Sequence, residues 1–298
     1  MHVLIAGGSG LIGTALTRSL RAEGHRVVAL VRREPRGVDE LRWDPAGGVI
    51  DGDAVRAADA VVNLAGASIG SKRLTESYQR EVLRSRLDAT GLIARELAAK
   101  GSGVLVQGSA MGYYGERGTE PLTEDAGPGD TFLSRIVTEW EAAAQPAADA
   151  GVRVAFSRTG LVLSDHGGFA ERLLPLVRRG LLGSLGSGET VHSWITLEDA
   201  VAGLTVLLTG AHHGPANLVS PRPVTDRELI AALSRAFGKK PGVGVPGWLL
   251  GIVIGPAIVD LLSSQVGVPA ALEAQGFTWA HPSIDAAAEH IAATVRAA

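Results

Sequence analysis

The sequence contains no cysteine and has only a small imbalance between acidic and basic side chains. Without cysteine, disulfide bonds, thiol nucleophiles and thiolate metal sites are excluded. A formal net charge of −3 gives no support for nucleic-acid binding, which usually requires a basic face. The N-terminus also lacks the basic region and cleavage site of a secretory signal, since its apolar residues fit a first strand. We therefore expect a cytoplasmic protein that binds no nucleic acid.

Long apolar runs and metal-binding patterns are also missing. The most apolar stretch, residues 248–259, is interrupted by Pro256 and followed by Asp260. A membrane span needs about 20 predominantly apolar residues, so this stretch predicts a buried or interface helix and no membrane association. No pair of histidines has a spacing such as His-x-x-x-His. Because metal sites need converging ligands of this kind, we predict no metal site.

The most informative feature that is present is a glycine-rich turn at the start of the chain. An apolar run at residues 3–6 precedes Gly7, Gly10 and Gly13, and apolar residues at helical spacing follow. A strand, a turn with these glycines and a helix form a dinucleotide-binding motif, in which the helix N-terminus faces a pyrophosphate. The cofactor contacts predicted from it are Gly7, Ser9, Gly10, Leu11, Ile12 and Gly13.

The first half of the chain alternates apolar runs with amphipathic stretches, a pattern typical of parallel strands joined by helices. We predict strands at residues 3–6, 27–31, 60–64, 104–109 and 153–158, and helices within 75–100 and 132–150. This pattern predicts an α/β fold with a Rossmann-type, doubly wound parallel sheet. The dinucleotide-binding domain would cover residues 1–165.

The pattern changes after Arg158. Residues 167–168 and 180–188 are predicted as loops, and the dense proline and glycine of 241–247 mark another break. Thr196 with Asp199, and Thr225 with Glu228, have capping-box spacing. A further strand at 217–220 would extend the sheet, so residues from about 190 to 220 contribute to the first domain. Residues 166–298 would mostly form a small, discontinuous C-terminal α/β substrate region.

The end of the second predicted strand indicates which dinucleotide is bound. Enzymes that prefer NAD usually place Asp or Glu there, whereas arginine accommodates a 2′-phosphate. Here the strand ends in Arg32 and Arg33, with no carboxylate before Glu34. These guanidinium groups favour NADP(H), because arginine forms charge-assisted bonds to phosphate. The alternative is a pair of solvated surface arginines.

Two strand ends supply further predicted cofactor contacts. Small residues at Leu64, Ala65 and Gly66 would let the cofactor lie against the backbone, or they form only a tight turn. Gly160 follows the strand that ends at Arg158, and it would allow close backbone approach by the cofactor or simply form a turn.

Several motifs together resemble a known family. The glycine turn, residues 63–66 and residues 109–115 resemble the extended short-chain dehydrogenase/reductases, the sugar-nucleotide epimerase and dehydratase group. Residues 43–45, 85–86, 140–141, 193–195 and 276–277 look like the atypical "epimerase family protein" branch, whose C-terminal domain is uncharacterised. The resemblance covers nearly the whole chain. It implies a Rossmann-type domain that binds a dinucleotide and a small C-terminal substrate region.

The chain departs from the wider superfamily at the catalytic residues. Members resemble one another in a Ser, a Tyr and a Lys four residues after the Tyr, but residues 131–141 contain neither Tyr nor Lys. Tyr114 is our first candidate for proton transfer and Ser109 for orienting the substrate, with Tyr113 and His192 as further candidates. Arg135 is the cation in the matching part of the helix. The alternative is that both tyrosines only pack or stack on substrate.

Two functions from different classes remain. The first is an NADP-dependent oxidoreductase or epimerase-like enzyme acting on a small polar or sugar-nucleotide substrate. The second is a catalytically silent NADP(H)-binding protein with a structural or redox-sensing role, which the missing Tyr and Lys favour. We expect a small-molecule substrate and leave a homodimer open.

Overall fold

The apolar runs of the first half form a central sheet in the computed structural model, which describes residues 1–69, 72–246 and 263–297. The strands are β1 (His2–Ala6), β2 (Arg26–Val31), β3 (Glu40–Arg42), β4 (Ala60–Asn63), β5 (Val104–Ala110), β6 (Pro121–Leu122), β7 (Arg153–Thr159), β8 (Leu161–Leu163), β9 (Leu182–Leu185), β10 (Val191–His192), β11 (Trp194–Thr196), β12 (Gly214–Leu218), β13 (Val224–Thr225), β14 (Val243–Val245) and β15 (Val266–Gly267). The helices are α1 (Leu11–Ala22), α2 (Gly52–Ala57), α3 (Glu76–Lys100), α4 (Phe132–Ala142), α5 (Gln145–Asp149), α6 (Gly168–Val177), α7 (Leu197–Thr209), α8 (Asp226–Ala236), Ala270–Ala274 and Ile284–Ala297.

The central sheet has seven strands in the order β12-β7-β5-β4-β1-β2-β3. Strand β1 pairs in parallel with β2 and β4, β4 with β5, and β2 with β3. Every residue of β4 is buried, as expected for a parallel strand covered on both faces. The strand order reverses beside β1, which makes this a doubly wound, Rossmann-type sheet. The predicted fold class is confirmed.

The chain divides into two compact units. The first comprises Met1–Ala110, Arg135–Arg158 and Val201–Ala216, and the second comprises Met111–Ser134, Thr159–Ala200 and Asn217–Ala298. These compact units do not test the functional domains predicted with a boundary at residue 165, which stay a prediction.

A buried polar network fixes the carboxyl ends of β4 and β5 in the first unit. Asn63 and Gln107 are register partners, and the Asn63 side-chain amide donates to both the Thr90 hydroxyl and the Gln107 side-chain oxygen at 3.0 Å. The Trp140 indole also donates to Thr90, at 2.9 Å. Because each of these buried groups has a partner, the network holds α3 and α4 against the sheet without leaving unpaired polar atoms there.

The second unit contains four two-stranded sheets among its described residues. One pairs β9 with β14, so the loop predicted over residues 180–188 and the break at 241–247 are in part wrong. The glycines there allow close strand pairing, since a Cβ on Gly183 would lie 2.3 Å from the Gly242 carbonyl oxygen. Glycine content indicated a loop, although it serves the contact between two strands.

Helix starts follow the capping signals only in part. Thr225 and Glu228 form the predicted capping box at α8. The Thr196 hydroxyl accepts a hydrogen bond from the Asp199 N–H at 3.2 Å, but the Asp199 carboxylate accepts from the N–H groups of Ala280 and His281 instead of completing a capping box.

The outer strand β12 begins at Gly214, three residues before the predicted start. The helix predicted over 132–150 is two helices, α4 and α5.

None of the helices in the described part of the chain is long and apolar enough to cross a membrane. The apolar stretch at 248–259 lies outside the described residues.

Candidate functional site

The three glycines of the first turn have different surroundings. Gly7 has a φ of +80°, a conformation that side chains disfavour, and a Cβ there would lie 2.6 Å from the Leu64 carbonyl oxygen. A Cβ on Gly13 would lie 2.2 Å from the Gly7 carbonyl oxygen. At Gly10 the nearest atom would be that same oxygen, at 3.4 Å. Gly7 and Gly13 are therefore required by the turn itself, whereas Gly10 leaves space that a ligand can use.

Helix α1 begins beside this space without a side-chain cap. Its N-cap residue is Gly10, and its first turn contains no acidic residue. The N–H groups of Leu11, Ile12 and Gly13 therefore lack the partners that a Ser, Asp or Glu would give them. Uncapped N–H groups and the positive end of the helix dipole together suit an anion.

A cleft of about 800 Å³ opens at this turn, wholly within the first unit. Of the predicted cofactor contacts, those that line it are Gly7, Ser9, Gly10, Arg32, Arg33, Leu64, Ala65 and Gly66. Trp43, Asp44 and residues of α3 are among the other residues that line it. This volume lies within the range usual for small-molecule sites.

The two arginines at the end of β2 have different roles. Arg33 forms a two-point ion pair with Glu40 of β3, with an Nη1–Oε2 distance of 2.7 Å, and also donates to the Glu34 carbonyl oxygen. This hydrogen bond lowers the pKa of Glu40 to about 2. Arg32 is exposed, lines the cleft and makes no hydrogen bond or ion pair with any described residue. Of these two arginines, Arg32 is therefore the one whose guanidinium is available to a phosphate.

The loop that follows β4 is fastened to α3 by three side chains. The Ser85 hydroxyl accepts the Ala67 N–H at 2.9 Å, and the Arg86 guanidinium donates to the Ala67 carbonyl oxygen at 2.9 Å. The Tyr78 hydroxyl donates to the Ser68 carbonyl oxygen at 2.6 Å. These bonds hold this wall of the cleft against α3.

Ser109 belongs to a buried polar cluster at the carboxyl ends of β5 and β7. Its hydroxyl donates to the Glu141 carboxylate at 2.5 Å, and Arg158 donates to both oxygens of that carboxylate at 2.9 Å. Since the Ser109 proton is directed at Glu141, its oxygen is left as an acceptor. The hydroxyl is therefore better placed to accept from a substrate hydroxyl than to donate to a carbonyl.

Tyr114 lies in the second unit and is completely buried. Its hydroxyl donates to the Asn217 side-chain oxygen at 2.8 Å. The Asn217 amide in turn donates to the carbonyl oxygens of Leu122 and Val268. Tyr113 is partly buried and packs edge-on against Tyr114, with ring centroids 5.2 Å apart. This environment favours the packing alternative, and proton transfer by Tyr114 stays a prediction.

Two other candidates, Gly160 and His192, belong to the second unit. A Cβ on Gly160 would lie 2.5 Å from the Ser193 carbonyl oxygen, so packing within the second unit already explains this glycine. His192 is buried, and its Nε2 atom lies 3.7 Å from an Asp226 oxygen, which is beyond hydrogen-bond distance. No group of three or more potential metal ligands occurs within the described ranges. Arg135 is exposed on α4.

The sequence analysis missed Glu141, Arg158 and Arg86 as candidates. Glu141 and Arg158 are 17 residues apart, and their pairing depends on β7 lying beside β5. The two-residue motifs that contain Arg86 and Glu141 were noticed only as part of a resemblance. Their partners come from other segments, which residue spacing alone does not indicate.

Comparison with known proteins agrees with this geometry. Residues 3–235 match the NAD dependent epimerase/dehydratase family, and residues 245–291 match a domain of unknown function, DUF1731. The chain belongs to the NAD-dependent epimerase/dehydratase family. An epimerase family protein of Mycobacterium tuberculosis is 39% identical over 284 residues, which is 95% of this chain and 94% of that protein. The resemblance to the "epimerase family protein" branch is thereby confirmed.

Solved structures of family relatives have the same fold. The human epimerase family protein SDR39U1 (isoform 2), crystallised with NADPH, is 35% identical with a TM-score of 0.88, over 98% of this chain and 99% of that one. A nucleoside-diphosphate sugar epimerase from Corynebacterium glutamicum is 33% identical with a TM-score of 0.78, over 98% of this chain and 58% of that one. UDP-glucose 4-epimerase from Thermus thermophilus, at 20% identity, shares the fold, with a TM-score of 0.79 over all of both chains.

Proposed function

We propose that this family member is an NADP-dependent oxidoreductase or epimerase-like enzyme that acts on a small polar substrate of the sugar-nucleotide type. The observation that carries the proposal is the cleft, which contains both an uncapped helix N-terminus and an arginine that has no partner among the described residues. The human relative crystallised with NADPH supports the same cofactor class.

The residues of the cleft fit such a cofactor. The N–H groups at the start of α1 would bind its pyrophosphate, in the space beside Gly10. Arg32 would bind the 2′-phosphate that distinguishes NADP(H) from NAD(H), while Leu64, Ala65 and Gly66 would contact the cofactor through small side chains and backbone. When bound, NADP(H) would supply hydride acceptor or donor chemistry.

The chain's own contribution to the chemistry would begin at Ser109. Because its hydroxyl donates to Glu141, the Ser109 oxygen would accept a hydrogen bond from a substrate hydroxyl and orient it. Arg158 keeps the carboxylate in place through two bonds, so the direction of the Ser109 hydroxyl is fixed before substrate binds.

The second candidate function is a catalytically silent NADP(H)-binding protein with a structural or redox-sensing role. The specific observation in its favour is that α4 carries no Tyr or Lys, while the Tyr114 hydroxyl is taken up by Asn217. Under this function the cleft would bind the cofactor and no proton donor would be needed.

One experiment separates the two functions. The purified protein is titrated with NADPH, and the complex is then mixed with small carbonyl compounds and oxidised sugar nucleotides while NADPH absorbance is followed. Absorbance loss with at least one compound, absent with Gly10→Val, would support the enzyme. Tight NADPH binding without absorbance loss, and without a substrate identified by mass spectrometry of the purified protein, would favour the silent function. Failure to bind NADPH would contradict both.

A further inference from the structure

Arg86 is a buried cation that none of the described acidic residues neutralises. The side chain is 8% exposed, and the guanidinium makes two hydrogen bonds, both from Nη1, to the carbonyl oxygens of Ala67 and Val82 at 2.9 and 3.1 Å. In the described part of the chain no carboxylate pairs with it. Burial lowers the pKa of Arg86 to about 10, so the group is still charged at neutral pH.

Two other arginines of the first unit, Arg158, which is buried, and Arg153, which is partly buried, have charges that are compensated. Arg158 is 3% exposed and its charge is balanced by the Glu141 carboxylate. Arg153 donates from both Nη atoms to three carbonyl oxygens, two of which belong to the last turns of α7, at the negative end of that helix. A buried charge without such compensation is unfavourable, because the protein cannot replace the water it has lost.

The position of Arg86 relates it to the cleft. The Cζ atom of Arg86 lies 4.8 Å from the centre of the Trp140 ring. The guanidinium also lies against Gly66, because a Cβ on Gly66 would be 3.1 Å from the Cζ and Nη1 atoms of Arg86. Gly66, Ala67 and Ser85 all line the cleft, and Arg86 lies immediately behind this wall. The Nε and Nη2 groups make no hydrogen bond with described residues, and neither is sealed from the surrounding space.

We propose that Arg86 is an anion-binding residue, whose Nε and Nη2 groups bind a phosphate oxygen of a molecule in the cleft. This phosphate would neutralise the buried charge. The proposal rests on the proposed function for the identity of one such molecule, the dinucleotide. The same phosphate chemistry is offered by a nucleoside-diphosphate substrate. Arg86 would also supply a fixed positive charge beside α4, which carries no lysine.

The test compares Arg86→Gln and Arg86→Lys with the unmodified protein and with Arg80→Gln. Arg80 lies on the same helix but is 74% exposed, so its substitution removes the same charge from the surface. The melting temperature of each variant is measured first without ligand, so that a loss of folding is recognised. Binding is then measured for pyrophosphate and NADPH, and for uridine diphosphate added to the NADPH complex.

We expect Arg86→Gln to weaken binding of at least one of these phosphates ten-fold or more. Arg86→Lys should recover part of the affinity, and Arg80→Gln should bind as the unmodified protein does. Weaker pyrophosphate and NADPH binding would identify the cofactor as the ligand, whereas a loss confined to uridine diphosphate would identify the substrate. If Arg86→Gln does not fold, Arg86→Lys is compared with the unmodified protein instead, through its phosphate affinity and the salt dependence of that affinity.

The proposal is overturned if folded Arg86 variants bind every phosphate as tightly as Arg80→Gln does, because Arg86 would then only fasten the loop at Ala67. It is also overturned if the unmodified protein binds none of them. A protein that binds pyrophosphate through Arg86 but not NADPH would refute the proposed function and leave the anion site standing.

Discussion

Arg33, just after β2, and Glu40, at the start of β3, form a two-point ion pair with distances of 2.7 and 2.5 Å. Arg32, the preceding residue, faces the cleft without a partner among the described residues. Two adjacent arginines thus have separate tasks. One fastens the edge strand to the sheet, and the other is available to a ligand.

Replacement of Arg32 should remove the preference for NADPH. We expect the unmodified protein to bind NADPH about ten-fold or more tightly than NADH, which corresponds to roughly 1.4 kcal/mol or above. Arg32→Ala should abolish this difference and leave NADH binding nearly intact, whereas Arg33→Ala should have a smaller effect because Glu40 already occupies its guanidinium. Titration of all three proteins with both cofactors checks this. Equal affinities in the unmodified protein would contradict it.

The Arg33–Glu40 pair should also give a characteristic pH dependence. The pKa of Glu40 is lowered from 4.5 to about 2, chiefly by the hydrogen bond from Arg33. Because the folded-state pKa is depressed, the stabilisation from the pair is complete above about 4.5 and is lost as the pH falls through about 2. NMR titration of the Glu40 carboxyl should show this midpoint.

Arg33→Ala should return the Glu40 midpoint toward 4.5. The matched control is Arg42→Ala, which removes an exposed arginine whose partner is Glu34 and should leave Glu40 unaffected. An unchanged Glu40 midpoint in Arg33→Ala would mean that the ion pair is not formed in solution.

Substitutions at Gly10 and Gly13 should have opposite kinds of effect. Gly10 has ordinary backbone angles, and a Cβ would meet only one atom, at 3.4 Å, so Gly10→Val should fold and lose NADPH binding. Gly13→Ala would force a Cβ to 2.2 Å from a carbonyl oxygen and should destabilise the protein by about 1–3 kcal/mol. Circular dichroism, thermal unfolding and NADPH titration measure both. If folded Gly10→Val binds NADPH normally, the cofactor lies elsewhere.

Tyr114→Phe tests whether the buried phenol packs or reacts. Removal of the hydroxyl leaves the Asn217 oxygen without this donor, and we expect a loss of about 1–3 kcal/mol of stability with NADPH affinity unchanged. General acid–base catalysis would instead lower turnover by about 10²–10⁴-fold on an identified substrate. A Tyr114→Phe variant with intact stability and such a fall in turnover would show that Tyr114 takes part in proton transfer.

The central sheet could be predicted from sequence because its strands are buried on both faces. Residues such as Val61 and Val62 are completely buried, so the strand is a continuous apolar run that one segment displays by itself. The glycine turn is equally local at Gly13, where a Cβ would meet atoms of Gly7 and Gly8 in the same turn. Both signals, the apolar run and the glycine spacing, are carried by residues close together in the sequence.

The roles of site residues that sequence did not reveal depend on partners that only the tertiary structure brings together. The partner of Tyr114 is 103 residues away, and nothing near Tyr114 indicates that its hydroxyl will be occupied. The charge of Arg33 is matched by Glu40 only because the short polar strand β3 joins the sheet edge. In both cases the sequence indicated the residue as a candidate, but its hydrogen-bond partner depends on the tertiary structure.

The interleaving of the two units has a consequence for biosynthesis. The last segment of the first unit, Val201–Ala216, leaves the ribosome after Thr159–Ala200, which belong to the second unit. Until Gly214–Leu218 has emerged, the edge of β7 has no neighbour on that side, although the other strands of the sheet are already made. An unpaired strand edge is an aggregation hazard, so the nascent chain is most exposed to chaperones during synthesis of those intervening residues.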